Sequence, residues 1–133
     1  MKSNYKIAMA MLAGAALGAL AVQGLHAQAK PPVYYVAEVD VTNEEAYAKE
    51  YAPKAQAIIK AAGGRFLAVA GAAGGAAKVT PIEGTPPKRA VIQVWDSMDK
   101  IKAWRDSAEY KEVRKIGDKY AKFRSYAVDG LPQ

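Results

Sequence analysis

The sequence predicts an α+β domain of strand–helix–strand–strand–helix–strand order behind an N-terminal leader. Three observations carry this reading. Val33–Val41 and Arg89–Asp96 alternate with the two-residue period of strands. Each is followed by apolar residues at helical spacing. The run Gly63-Gly64-Arg65-Phe66-Leu67-Ala68 then closes the first helix and opens a strand at once.

The leader comes first. Lys2 and Lys6 precede an uncharged stretch from Ile7 to Val22, and Ala27-Gln28-Ala29 offers a small-x-small cleavage site before Lys30-Pro31-Pro32. This is the order of a signal peptide, predicted over residues 1–29, with the domain over 30–133. The apolar run is shorter than the roughly 20 residues that span a bilayer, and the alternative is an uncleaved anchor. Cleavage removes two lysines and no acid, so the net charge falls from +6 to +4. The predicted location is periplasmic or secreted, with no membrane association once the leader is gone.

In Val33–Val41, Val33, Tyr35, Ala37, Val39 and Val41 share one face, and Tyr34, Val36, Glu38 and Asp40 the other. Thr42 and Glu45 have the spacing of a capping box. Tyr47, Tyr51, Ala55, Ile58, Ile59 and Ala62 then form a helical stripe, bent where Pro53 removes a hydrogen bond. Gly63 supplies a left-handed stop. Gly64–Ala70 is the second strand, with Arg65, Leu67 and Val69 alternating against Phe66, Ala68 and Ala70. Residues 71–77 contain only glycine and alanine and predict a mobile loop without the Gly-Lys-Ser/Thr of a phosphate loop. Lys78–Gly84 reads as a short edge strand limited by Pro81, and Thr85-Pro86-Pro87 as a turn. After Arg89–Asp96, Ser97 caps a second helix with Met98, Ile101, Trp104 and Ala108 inward. A kink near Ser107 precedes Val113, Ile116 and Tyr120; Gly117 weakens that segment, and Phe123–Asp129 is the last strand.

Two helices cover only one face of a four-stranded antiparallel sheet. The cleaner faces, Tyr35/Ala37/Val39 and Ala90/Ile92/Val94, are expected beneath them. Tyr34, Val36, Val91, Gln93 and Trp95 then fall on the open face, a large apolar surface that a two-fold partner would bury, so a homodimer through the sheets is expected.

Composition narrows the chemistry. The chain has no cysteine, and its one histidine, His26, lies in the leader. The domain therefore lacks the residues of Cys/His zinc sites, His-ligated haem and His-based triads. No acidic loop has calcium-site spacing, so no metal is expected. Basic residues interleave with acids and form no stripe with stacking aromatics, which argues against nucleic acid.

The chain resembles the "domain of unknown function 1330" family of the dimeric α+β barrel superfamily. The resemblance rests on Tyr35, Val39-Asp40-Val41-Thr42, Tyr47, Gly63 to Ala68, Glu83-Gly84, Arg89, Ser97, Trp104 and Ser107-Ala108-Glu109-Tyr110. It implies a ferredoxin-like βαββαβ fold and sheet-to-sheet dimers, and no established reaction. Some superfamily relatives are cofactor-free monooxygenases; others are isomerases, haem proteins or stress proteins. This chain departs from the family in having Val69-Ala70-Gly71 for Arg-Gly-Gly, a longer Gly/Ala insert and a leader. Gly117 also stands near a frequent arginine position.

Few residues stand out for chemistry. Arg65 either reaches a carboxylate or phenolate ligand or pairs with Glu38 or Asp40. Glu38 and Asp40 share a face, so one is a candidate base, or both are solvated. Tyr34, Gln93 and Trp95 line either a pocket or an interface. Trp104 and Tyr110 lie on or beside the second helix, as pocket or as core. Ser97, Ser107 and Ser125 have no base to activate them. The sequence thus predicts an exported homodimer that binds a small, partly apolar organic ligand and works without a cofactor if it is an enzyme. The alternative is a non-catalytic structural or stress-associated dimer.

Overall fold

The computed structural model describes residues 30–133; the predicted leader lies outside them. Strands β1 (Val33–Val41), β2 (Arg65–Gly71), β3 (Arg89–Trp95) and β4 (Ala121–Asp129) form one sheet in the order β2-β3-β1-β4, with every pair antiparallel. The connection from β1 to β2 runs through α1 (Glu44–Ala46), a π-helical segment (Tyr47–Tyr51) and α2 (Ala52–Ala62). That from β3 to β4 runs through α3 (Met98–Asp106) and α4 (Ala108–Asp118). This is the expected α+β fold with ferredoxin-like order. No helix among the described residues is long and apolar enough to cross a membrane.

The local signals account for most element ends. Gly63 closes α2 with φ +105°, Ser97 Oγ accepts from Lys100 N at 3.2 Å, and Ser107 Oγ accepts from Tyr110 N at 3.2 Å. Ser107 has an extended ψ of 149°, which separates α3 from α4 at the expected kink. The first cap differs. Asn43 Oδ1 accepts from Ala46 N at 3.1 Å, while Thr42 Oγ1 donates to the Tyr120 carbonyl at 2.9 Å. Thr42 still belongs to the sheet end, and the residue after it takes the helix.

Pro53 acts through the turn before it. Lacking an N–H, it cannot bond the Lys49 carbonyl, and its ring crowds that oxygen. The chain widens there: Ala52 N–H reaches back five residues to the Tyr47 carbonyl. The expected bend is therefore a π-helical turn carrying two buried tyrosines, Tyr47 and Tyr51.

The sheet corrects three expectations. The β1–β3 register sets Val33 opposite Trp95, Tyr35 opposite Gln93 and Ala37 opposite Val91. Val91, Gln93 and Trp95 thus lie beneath the helices, while Ala90, Ile92 and Val94 share the open face with Tyr34 and Val36. Both faces of β3 are apolar, so alternation alone could not settle which was inward; the pairing partner does. In β2 a bulge at Leu67 puts Phe66 and Val69, opposite Gln93 and Val91, on the helix side. Lys78–Gly84 forms no strand; just before it, an isolated parallel bridge joins Ala70 to Ala77.

The Gly/Ala run forms a hydrogen-bonded turn. Gly71 N donates to the Ala77 carbonyl at 2.8 Å, Gly75 N to Gly71 O at 3.1 Å and Ala72 N to Lys88 O at 2.8 Å. Ala73, at φ 61°, is buried in the core.

The core has two clusters on the helix side. One gathers Val39, Val41, Tyr47, Tyr51 and Ala121; the other gathers Tyr35, Ile59, Trp95, Ile101, Trp104 and Tyr110. Trp95 is fully buried and stacks on Trp104 with ring centroids 5.1 Å apart. Gly117 is a packing requirement: a Cβ there would come within 2.6 Å of the Tyr51 ring.

Candidate functional site

Between sheet and helices lies a partly open cavity of about 60 Å³, lined by residues of both core clusters. Its floor is sheet: Tyr35, Ala37 and Val39 of β1, Val91 and Gln93 of β3, and Ser125 of β4. Its roof holds Tyr47, Tyr51, Ile59, Trp104 and Tyr110. At a lower bound of roughly 10–15 Å³ per water, the space suits about four to six ligand heavy atoms.

The polar groups come from separate elements. Arg89, at the start of β3, is 3% exposed. Its Nη1 donates to the carbonyls of Ala72 at 2.8 Å and Ala73 at 3.1 Å, and its Nε is buried without a partner. Its guanidinium carbon lies 5.5 Å from the Tyr47 ring centroid. Arg105 Nη1 donates to Tyr35 Oη at 2.9 Å, and its guanidinium covers the Tyr110 ring at 4.5 Å. Arg114 Nη1 donates to Tyr110 Oη at 2.9 Å, and its Nε to Asp118 Oδ1 at 2.7 Å. Gln93 Oε1 accepts from Trp95 Nε1 at 2.9 Å, which fixes the amide against the indole. Among the described residues no carboxylate lines the cavity.

The tyrosines here are donors rather than bases. Burial raises the hydroxyl pKa of Tyr47, Tyr51 and Tyr110 above the ordinary 10.0, outweighing the opposing pull of Arg89 on Tyr47 and of Arg114 on the other two. The linkage sign follows. In the unfolded chain these phenols ionise near pH 10, so the folded state holds more protons above that pH. The stability they contribute is complete below pH 10 and lost as pH rises beyond it. We expect the tyrosinate absorbance of these three rings to appear together with loss of the far-ultraviolet circular dichroism signal. Their ionisation in a still-folded protein would contradict this.

The residues singled out in the sequence divide by face. Gln93 and Trp104 line the cavity, as does Tyr110; Trp95 packs behind Trp104 in the core. Tyr34 lies on the opposite face of the sheet, with Arg65, Glu38 and Asp40. Arg65 is separated from β1 by β3, and the acid nearest it is Asp96 at 4.0 Å rather than Glu38 or Asp40. Lys100 bonds Asp96 at 2.9 Å and holds its carboxyl below the usual range. Glu38 pairs with Arg124 of β4. Among the described residues no cluster of acids could hold a metal.

Arg105 and Arg114 are not singled out by the sequence, and Arg89 enters there only as a strand start and as part of the family resemblance. Its burial comes from a turn well before it in the chain. Arg114 did carry a signal: it lies four residues beyond Tyr110, one turn along the same helix face.

Residues 32–131 match the family described as Domain of unknown function (DUF1330). The chain belongs to the DUF1330 family. Comparison with curated proteins finds no match. Among solved structures, this DUF1330 domain is similar to a protein of unknown function from Rhodopseudomonas palustris. That match has TM-score 0.62 and 14% identity, covering 78% of this chain and 85% of the other. It is also similar to SnoaB, a cofactor-independent oxygenase from Streptomyces nogalater, with TM-score 0.55 and 12% identity over 77% of this chain and 96% of the other. At these identities the likeness is one of fold.

Proposed function

We propose that this DUF1330 protein is exported and, as a homodimer, binds a small, partly apolar organic ligand in the cavity between sheet and helices. The observation that carries this reading is a partly open cavity whose apolar walls bear hydrogen-bond donors from several elements. Export is supported by the leader pattern of residues 1–29. Dimerisation is supported by the open sheet face, where Tyr34, Tyr126 and Val128 stand exposed on neighbouring strands. That face is opposite the cavity, so a sheet-to-sheet dimer leaves the cavity available. SnoaB, similar in fold, is a cofactor-independent oxygenase; any reaction carried by the present chain is expected to be cofactor-free as well. The alternative is a structural or stress-associated dimer with no ligand.

A thermal-shift screen of small aromatic and carboxylate metabolites separates the two. A ligand at a hundred times its Kd stabilises by about 2.7 kcal/mol. For a domain of this size that raises Tm by roughly 10–20 °C. A library without a stabilising member would favour the structural dimer. Light scattering of a monomer at micromolar concentration would remove the dimer from either reading.

A further inference from the structure

Arg89 is a buried cation without a counter-ion. It is 3% exposed, and no Asp or Glu among the described residues lies within 4.0 Å of it. Taking a guanidinium out of water is expensive unless its donors and its charge are both met. Here the donors are met only in part. Both of its hydrogen bonds leave from Nη1, and Nε is buried with none. The Nε–Nη2 edge is one of the two forks by which arginine grips a carboxylate. Nearby, Arg105 also lines the cavity without a carboxylate partner, its hydrogen bond going to the Tyr35 hydroxyl. The phenols of Tyr47, Tyr51 and Tyr110 add neutral donors. The lining therefore offers cations and donors with no negative charge to oppose an anion.

We infer that the cavity selects a small organic monoanion, with its carboxylate or equivalent oxyanion against the guanidinium of Arg89 and its apolar body between Tyr47, Tyr51 and Phe66. This rests on the cavity being a ligand site, as proposed above, and adds the chemical class of ligand. The role offered by the sequence to Arg65 passes to an arginine inside the fold. The volume limits the anion to about four to six heavy atoms, or slightly more if Phe66 gives way at the rim.

Isosteric pairs test it. Propionate and propionamide, and butyrate and butyramide, fall within that size, match in shape and differ in charge. By calorimetric titration of the purified full chain, each carboxylate is expected to bind at least tenfold more tightly than its amide. Arg89→Gln should abolish that preference, and Arg105→Gln should reduce it severalfold. Should Arg89→Gln fail to fold by circular dichroism, the pairs measured on the unsubstituted protein and on Arg105→Gln decide. Equal binding of acids and amides overturns the selectivity and leaves the cavity reading standing. Binding of none of the four overturns the inference, while the metabolite screen alone then judges the cavity.

Discussion

Replacing Trp95 with alanine is expected to lower the melting temperature by about 15–30 °C. The indole is fully buried, stacks on Trp104, and gives its N–H to Gln93. Large aromatic-to-alanine changes in such positions cost about 3–5 kcal/mol, because the neighbours close only part of the hole. Each kcal/mol is worth about 4–8 °C in a domain of this size. The backbone is fitted to this ring: a Cβ at Gly64 would lie 2.6 Å from it, so removing the indole leaves a gap beside the main chain. The loss also frees Gln93 to turn away from the cavity, so ligand affinity should fall with stability. Thermal denaturation followed by circular dichroism checks the first effect. A shift below about 5 °C would mean that the two tryptophans do not anchor the core.

Gly71→Ala is expected to cost about 2–4 kcal/mol, although it adds one methyl group. Gly71 has φ +92°, which side-chain-bearing residues avoid at a cost of order 1–3 kcal/mol. The new Cβ would also meet the Lys88 carbonyl oxygen at 2.2 Å, and that atom is backbone, so no rotamer change relieves the contact. Relief requires Lys88 and Ala72 to part, which breaks their 2.8 Å hydrogen bond and withdraws the carbonyls that hold Arg89. Gly74→Ala is the control. Its φ is +80°, but a Cβ there meets nothing within 4 Å. Chemical denaturation should show Gly71→Ala costing at least twice as much; equal costs would leave the clash without effect.

What could be read from the residues alone was local. Gly63, Ser97 and Ser107 act on backbone groups within a few positions, and each ends or starts a helix where expected. The faces of β1 were legible because its inward residues are apolar while Glu38 and Asp40 mark the other side. β3 offered no such mark. Ala90/Ile92/Val94 and Val91/Gln93/Trp95 are both plausible core, and the choice depends on Trp95 pairing with Val33, far away in sequence. The bulge at Leu67 is similarly set by its partner strand. The cavity was hidden for the same reason. Tyr35, Tyr47, Arg89, Arg105 and Arg114 come from five different elements, and no spacing along the chain links them. Arg89 depended on a second long-range fact, since its partners are main-chain oxygens of residues whose side chains carry no chemistry.

The strand order bears on how copies of this domain can meet. β2 and β4 are the rims of the sheet, and an unguarded rim invites another chain to extend it into an aggregate. Each rim is blunted differently. β2 is interrupted by its bulge, and the turn at Ala77 returns against Ala70. β4 is long and regular, but carries exposed Lys122 and Arg124, which a second like strand would have to set near their equals. Growth along the sheet is discouraged at both ends, while its broad apolar face stays uncharged at Tyr126, Val128 and Tyr34. The domain can thus carry an exposed apolar face and still resist stacking sideways into fibres.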